Sequence, residues 1–155
     1  MTASIGVTAL HELKEISLDP SIDIKVLNYL NRLIEDAKER TGHLYALYGT
    51  PAESLCQTQA EQYNKYVGKH VYDYFTNSFH RHVSEDITPF EKQDLEEWAF
   101  HKVNGGHIQY VRLDNPENFD AAKAIIKRGM LKGFYQGVNF DSAYCNSCGK
   151  HSTNV

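Results

Sequence analysis

The chain has 155 residues, of which 41% are hydrophobic and 12% aromatic, and this composition is typical of one folded globular domain. Its 16 basic and 20 acidic residues give a formal charge of -4, which argues against a dedicated nucleic-acid-binding protein. No apolar run approaches the roughly 20 residues that span a bilayer, and the first residues lack the features of a secretory signal. The 3 cysteines are too few for a disulfide framework and indicate a reducing cytoplasm.

Apolar periodicity predicts the elements of the first half of the chain. A helix is predicted over 21–40, where apolar residues recur at three- and four-residue steps. We expect Ser21 to cap its N-terminus and Gly42 to end it. A buried strand over 44–48 and a second helix over 52–66 follow.

The second half continues the alternation of helices and strands. The aromatic and polar segment 71–83 is predicted to be extended or looped, and the capping box at 88–91 opens a helix towards Trp98. Three further elements are predicted: a strand over 107–113, a helix over 116–130 and a strand over 134–140. The fold class is therefore α/β, with parallel strands joined through helical crossovers.

The sharpest local motif is Cys145-Asn146-Ser147-Cys148-Gly149. Two thiolates three positions apart can bind one tetrahedral ion from a tight turn, which favours zinc. The alternative is a redox pair, but such a pair normally sits at a helix N-terminus in a thioredoxin-like unit, whereas this one lies in a polar tail. A structural zinc site needs four ligands, and His151 would strain a site packed into seven residues, so the motif is half of a site.

The motif Thr50-Pro51-Ala52-Glu53-Ser54 lies at a predicted strand-to-helix junction. Ligands bind at this edge of parallel sheets, and a helix N-terminus offers free amides to a phosphate or carboxylate. A capping box, with Thr50 as N-cap and Glu53 at the third helical position, explains the same residues and is somewhat favoured.

Three other features have two interpretations each. Cys56 lies on the second helix, where a small buried hydrophobic residue is more common than a nucleophile. His80 and His82 would share a face of a strand and chelate a metal, although exposed polar histidines are more common. Gly105 and Gly106 allow close backbone approach to a ligand or simply form a turn.

Five motifs in order along the chain resemble one known family. They are Thr2-Ala3-Ser4-Ile5-Gly6, Thr50-Pro51-Ala52-Glu53-Ser54, Tyr74-Phe75-Thr76-Asn77-Ser78, Phe100-His101-Lys102 with Gly105-Gly106-His107-Ile108, and Val138-Asn139-Phe140 leading to Cys145-Asn146-Ser147-Cys148. The series is similar to the C-terminal part of the catalytic subunit of class III, anaerobic ribonucleoside-triphosphate reductases, and it spans almost the whole chain.

The resemblance implies a ten-stranded α/β glycyl-radical barrel. Residues 1–140 would form the C-terminal portion of this barrel, and residues 141–155 would begin the zinc-binding and glycyl-radical region with a partial zinc-ribbon-like tail. In such enzymes a radical-SAM activating enzyme makes the glycyl radical, and a thiyl radical then abstracts the ribose 3′ hydrogen of a ribonucleoside triphosphate. Formate or a thiol system supplies the electrons, and the complete enzyme is expected to be a homodimer.

The resemblance also implies sites in this sequence. Cys145 and Cys148 match the first pair of a four-cysteine zinc site. Six residues are candidates for the substrate pocket or its support, none with a catalytic step: Thr50, Glu53, Thr76, Asn77, Ser78 and His107.

The chain also departs from the family pattern. The thiyl cysteine is expected upstream of Met1, and Cys56 is not in its motif, while the second zinc pair and the radical glycine are expected beyond Val155. The chain alone is therefore expected to be inactive, and to bind zinc weakly or through dimerised cysteine pairs. The alternative is a non-enzymatic zinc-binding or interaction module, but the pocket-type motif at 76–78 favours the enzyme part.

Overall fold

The computed structural model describes residues 2–50, 52–115, 117–133, 135–140, 143–144, 147–148 and 151–152. Helices and strands alternate within these ranges, as predicted. The strands are β1 Thr2–Val7, β2 Leu44–Gly49, β3 Ile108–Leu113, β4 Tyr135–Phe140, β5 Ala143–Tyr144 and β6 His151–Ser152. The helices are α1 Leu10–Ser17, α2 Ile22–Thr41, α3 Glu53–Val67, α4 Pro89–Phe100 and α5 Phe119–Lys132.

The first parallel pair is β1 and β2, joined through α1 and α2. The register places Thr2 opposite Leu44 and Val7 opposite Gly49. The 20 residues of α2 confirm the predicted helix, and Gly42 ends it in the left-handed conformation with its N–H bonded to a carbonyl of the last turn. The apolar stripe of α2 packs into the core, which consists of Val7, Leu10, Leu27, Ile34, Leu47, Phe79, Ala99 and Val103.

The second parallel pair is β3 and β4, joined through α5. Ile108 lies opposite Tyr135 and Leu113 opposite Phe140. Two parallel pairs with helical crossovers confirm the α/β class, while the complete barrel stays a prediction. Phe134, the predicted start of the last strand, lies outside the described residues.

A short loop attaches the beginning of β3 to the edge of β2. Asn104 accepts a hydrogen bond from Leu47 N at 2.8 Å, and Gly105 N donates to Leu47 O at 2.6 Å. A Cβ at Gly105 would lie 2.8 Å from that carbonyl oxygen, so only glycine fits. This glycine serves a close approach between two backbone segments, and not the approach of a ligand.

Two elements, β1 and α1, were not predicted from the sequence. Most of β1 is exposed and carries no apolar alternation, so its extended conformation comes from pairing with β2. The segment 71–83 has neither helix nor strand, as predicted. None of the helices described is both long and apolar enough to cross a membrane.

Candidate functional site

A cleft of about 500 Å³ opens at the carboxyl end of β2. Its walls come from Gly49 and Thr50, from the first turns of α3, from the segment 74–87, from Lys92 on α4 and from one face of β3. Ligands of parallel α/β folds bind at the carboxyl ends of strands, and the volume lies within the roughly 300–1,000 Å³ of small-molecule sites. This cleft is therefore the candidate site.

The segment 74–78 forms one wall because α1 holds its backbone in place. Ala9 N donates to Thr76 O and Leu10 N donates to Ser78 O, both at 3.0 Å. These two amides lie at the start of α1, where helical N–H groups have no intrahelical partner. Ser78 adopts a positive φ of 53°, which turns the chain at this point. The unpredicted helix α1 is thus what positions the predicted motif.

A buried carboxylate completes this anchor. Glu12 on α1 is 1% exposed, and its two oxygens accept hydrogen bonds from Thr76 N and Thr76 Oγ1, each at 2.9 Å. Both bonds are charge-assisted and lie away from water, so they fix the Thr76 side chain strongly. Nothing in the local sequence distinguishes Glu12 from an exposed helical glutamate, so the sequence does not predict its role in this anchor.

Cys56 ties the same segment to α3. Its Sγ lies 3.0 Å from Asn77 Oδ1, and Phe75 N donates to the Cys56 carbonyl at 3.0 Å. Cys56 is 7% exposed, as predicted for a small buried residue, and it forms part of the cleft wall together with Gln57. Its position is explained by packing and by the contact with Asn77.

Several buried polar atoms near the carboxyl end of β2 have no hydrogen-bond partner among the described residues. They are Thr50 Oγ1, Ser78 Oγ and both ring nitrogens of His107. A Cβ at Gly49 would lie 2.6 Å from Ser78 Oγ and 2.7 Å from His107 Nδ1, so only glycine lets these groups approach the strand end. Buried polar groups normally have partners, so this region is suited to an ordered water or a ligand.

His107 is neutral at physiological pH. Burial, followed by the positive charge of His80, lowers the pKa of His107 to about 3. Its ring lies against Phe79 at 4.3 Å between centroids and against His80 at 4.7 Å. A neutral imidazole offers one donor and one acceptor, so His107 can serve either polarity of ligand group.

A second polar cluster lies behind the opposite wall, around the fully buried Glu96 of α4. One carboxylate oxygen accepts from Arg81 N at 2.8 Å and forms an ion pair with Lys92. The other accepts from Gln109 Nε2 at 2.8 Å and lies 3.2 Å from His80 Nδ1. Burial opposes ionisation of Glu96, but the hydrogen bond from His80 and the charges of His80 and Lys92 prevail and lower its pKa to about 2.

The ligand atoms of His80, Glu96 and His107 lie within 4.8 Å of one another, close enough to hold a metal ion. However, four donors already surround the Glu96 carboxylate, and the ammonium of Lys92 occupies the place of a cation. A divalent ion would have to displace this ammonium. The cluster is therefore an internal ion pair with a hydrogen-bonded shell.

The structure brings most of the predicted pocket residues together. Thr50, Thr76 and Asn77 line the cleft, and Ser78 and His107 lie buried directly behind Gly49. Glu53 begins α3, but its side chain lies outside the described residues.

Two sequence interpretations are corrected. Ala52, and not Thr50, is the N-cap of α3, so the expected capping box is wrong: the helix begins later than the motif suggested. His80 and His82 do not form a chelating pair on a strand, because the segment is a loop. His80 turns towards Glu96, while His82 stacks on Tyr74 at 4.8 Å.

The cysteine motif is described only in part. Cys148 is exposed, and Cys145 lies outside the described residues. The strands β5 and β6 pair antiparallel, with Tyr144 opposite His151, so the motif lies between the two strands of a short hairpin. Of the predicted zinc ligands the structure describes the exposed thiol of Cys148, so the zinc site stays a prediction.

A parallel α/β fold with a polar cleft at a strand end defines a ligand-binding domain of the kind found in α/β enzymes. The chain belongs to the anaerobic ribonucleoside-triphosphate reductase family, because the model of that family matches residues 1–155.

Curated relatives of this chain are named anaerobic ribonucleoside-triphosphate reductases. The enzyme of Enterobacteria phage T4 is 35% identical over 153 residues, which cover 96% of this chain and 25% of the relative. The enzyme of Escherichia coli K12 is 30% identical over 131 residues, covering 81% of this chain and 18% of the relative, and that of Salmonella typhimurium LT2 is 29% identical over the same length. The chain thus spans a quarter or less of these relatives.

Proposed function

We propose that this chain is part of an anaerobic ribonucleoside-triphosphate reductase, which reduces ribonucleoside triphosphates to deoxyribonucleoside triphosphates for DNA synthesis. The observation that carries the proposal is the family match over the whole chain, together with a polar cleft at the carboxyl end of β2. The cleft binds the substrate, and the radical chemistry is completed by residues that this chain does not supply.

Each candidate pocket residue has a role that follows from its position. Thr50 lines the cleft and its hydroxyl is buried beside Gly6 without a described partner, while Asn77 and Thr76 form the adjoining wall. Ser78 and the neutral ring of His107 support the strand end and are available to a polar group of the substrate. Glu53 stands in the first turn of α3, whose N-terminal amides favour an anionic group.

The metal and radical parts of the proposal rest on the cysteine motif and the family. Cys145 and Cys148 would hold zinc as two of four thiolate ligands, and the ion would keep the glycyl-radical region in place. The partners are then the remaining part of the reductase, a radical-SAM activating enzyme and a second copy of the complete enzyme, in the cytoplasm. Formate or a thiol system serves as reductant.

The sharpest test uses Thr50→Val, because this near-isosteric change removes a hydroxyl that has no described partner. Folding should be retained, whereas the affinity for CTP should fall about tenfold, the value of one hydrogen bond to a ligand. Thr58→Val on the exposed face of α3 is the matched control and should leave CTP binding unchanged. Calorimetric titration of the purified chain measures both.

Activity is tested with the chain complemented by the remaining reductase segments and the activating enzyme, under anaerobic conditions. The expected result is formation of dCTP from CTP, with a lower rate for Thr50→Val at subsaturating CTP. If the complemented enzyme forms no dCTP and the chain does not bind CTP, the proposal is wrong. A zinc-loaded chain that binds no nucleotide would favour the non-enzymatic module instead.

A further inference from the structure

We propose that Lys92 anchors the phosphate chain of the ligand in the cleft, and that the buried Glu96 is the residue that positions Lys92 for this role. The inference rests on the proposed function, since it assigns one part of the same cleft to one part of a nucleoside triphosphate. Lys92 and Glu96 belong to no motif in the sequence, and only the fold brings them to the site.

The wall of the cleft carries more cationic than anionic side chains. Three of its wall residues, Arg81, Lys92 and Arg112, are cationic, whereas Glu85 is the anionic one among them. The chain as a whole carries a charge of -4, so this cleft differs in sign from the protein around it. A concave site whose wall carries an excess of one sign of charge attracts ligands of the opposite sign.

Lys92 and Arg81 differ in the carboxylate that each one binds. Arg81 is already held by Glu85, with Nε at 2.9 Å and Nη2 at 2.5 Å from the same carboxylate oxygen. Lys92 forms its ion pair with Glu96, which is completely buried, while its own side chain is 17% exposed. An ammonium has three N–H donors; the bond to Glu96 uses one, and Nζ also lies 3.4 Å from His80 Nδ1. This leaves one donor for an anion in the cleft, which Lys92 lines.

Glu96 has a fixed position and therefore restricts the movement of the Lys92 side chain. The carboxylate also receives Arg81 N and Gln109 Nε2, each at 2.8 Å, so it cannot turn to follow a mobile lysine. Lysine normally loses much side-chain freedom when it binds a ligand. Here the loss has already occurred on folding, so binding an anion costs less.

The cleft size indicates which anion fits. A volume of about 500 Å³ holds a small molecule and not a nucleic-acid strand or a protein segment. Phosphate oxygens are strong acceptors for lysine, which binds them as a compact charge. Since the family's name specifies a triphosphate substrate, the polyphosphate chain is the anion we assign to Lys92.

The test compares three probes on the full chain by calorimetry in magnesium-free buffer: inorganic tripolyphosphate, CTP and cytidine. We expect Lys92→Met to weaken the binding of tripolyphosphate and CTP at least tenfold and to leave cytidine unchanged. Lys127→Met removes the same charge from an exposed position on α5 and should have little effect on any probe.

The positioning role of Glu96 is tested by a double-mutant cycle with CTP. Glu96→Gln alone should weaken CTP binding, but added to Lys92→Met it should weaken it no further, because Glu96 acts through Lys92. A purely structural role for Glu96 would lower the affinity in both backgrounds. Where either single variant does not fold, the double variant, which removes both charges of the buried pair, decides the inference by its loss of tripolyphosphate binding.

The outcomes separate this inference from the proposed function. If Lys92→Met binds CTP with wild-type affinity while Thr50→Val binds it more weakly, the assignment of Lys92 is wrong. The proposed substrate cleft is then still supported. A third outcome is that tripolyphosphate binding depends on Lys92, that CTP binds no more tightly than tripolyphosphate, and that Thr50→Val has no effect. This outcome supports the anion site and overturns the proposed substrate cleft. If the wild-type chain binds neither CTP nor tripolyphosphate, both proposals are wrong.

Discussion

The two parallel strand pairs of this chain are packed by different kinds of contact. Around β1 and β2 the buried side chains are mainly apolar: Leu27 and Leu47 are 0% exposed and Ile34 is 2% exposed, with Glu12 and Asp23 as charged exceptions at 1% and 3%. Around β3 and β4 the completely buried side chains include Gln93, Glu96 and Gln109, all at 0%. Hydrophobic contacts predominate in the first half, whereas a buried hydrogen-bonded network runs through the second half beside apolar residues such as Val111 and Ile125, each 2% exposed.

The polar half is connected as a chain of amides. Gln93 Nε2 donates to Gln136 Oε1 at 2.9 Å and to Ile125 O at 3.0 Å, and Gln136 Nε2 donates to Gln109 O at 2.9 Å. Gln109 then donates to Glu96. Two helices and two strands are thereby linked to the carboxylate behind the cleft wall.

The two halves therefore contribute differently to the stability of the fold and to the geometry of the site. Hydrophobic contacts are non-directional and tolerate small rearrangements, whereas hydrogen bonds fix distances and angles. The directional half is the one that holds His80 and Lys92 against the cleft. The apolar half supplies stability, and the polar half supplies a defined geometry for the site.

The largest effect should come from Glu96→Gln, which removes the charge at the centre of the polar half. It leaves Lys92 without its buried anion, and breaking such a pair costs about 3–5 kcal/mol of unfolding free energy. Glu97→Gln is the control, because Glu97 is 39% exposed and its ion pair with Lys132 is worth at most about 1 kcal/mol. Urea denaturation at pH 7 measures both, and equal losses would show that the burial of Glu96 carries no special weight.

Leu27→Ala probes the apolar half and should cost about 3 kcal/mol, because it removes a completely buried side chain and leaves a cavity. Leu131→Ala is the control, since Leu131 is 81% exposed on α5 and should change stability by less than about 0.5 kcal/mol. The contrast with Glu96 is sharpened by CTP affinity: Leu27→Ala should leave it unchanged in the folded protein. A loss of affinity would mean that the apolar half also sets the geometry of the cleft.

Acid should weaken the polar half before the apolar one. The pKa of His107 is lowered to about 3 from 6.5, so its contribution to stability is complete above pH 6.5 and is lost as the pH falls towards 3. The pKa of Glu96 is lowered to about 2 from 4.5, so its contribution falls away between pH 4.5 and 2. Between pH 6.5 and 5 we expect a loss of about 2 kcal/mol from His107.

The measurement is urea denaturation of the wild type, His107→Gln and His43→Gln at a series of pH values. His107→Gln should flatten the profile between pH 6.5 and 5, whereas the exposed control His43→Gln should follow the wild type. An unchanged slope in His107→Gln would assign the acid sensitivity to other groups.

The apolar half could be predicted from the sequence and the polar half could not. The helix α2 is visible in the sequence because apolar residues recur at three- and four-residue steps, and Ile34 of that stripe is 2% exposed. The stripe is shifted, however: Leu27, which is 0% exposed, lies outside it, and Leu33, which belongs to it, is 43% exposed. Glu12 and Glu96 look like exposed helical glutamates, since their burial depends on partners distant in the chain. The local sequence pattern indicates which face of a helix is apolar and therefore buried. It does not indicate which polar side chain is buried, because that depends on a hydrogen-bond partner elsewhere in the chain.

The candidate site follows the same division. The motif at 76–78 was found because its residues resemble a family, but the groups that hold it, Ala9, Leu10 and Glu12, carry no local signal. On the opposite wall, the spacing of Lys92 and Glu96 by four residues on one helix was the available clue. Such spacing is common on exposed helix surfaces, so it becomes informative only when the burial of Glu96 is known.

The smallest effect is expected from Thr88→Ala, which tests a local feature inside the polar half. Thr88 Oγ1 accepts from Glu91 N at 3.2 Å and Glu91 accepts from Thr88 N at 2.7 Å, which confirms the predicted capping box at the start of α4. Loss of this cap should cost about 1 kcal/mol of unfolding free energy. Thr58→Ala, in the interior of α3, should be neutral or slightly stabilising because alanine is the better helix former. A cost above about 3 kcal/mol for Thr88→Ala would exceed any single cap, and it would mean that the start of α4 helps to hold Glu96 in its network.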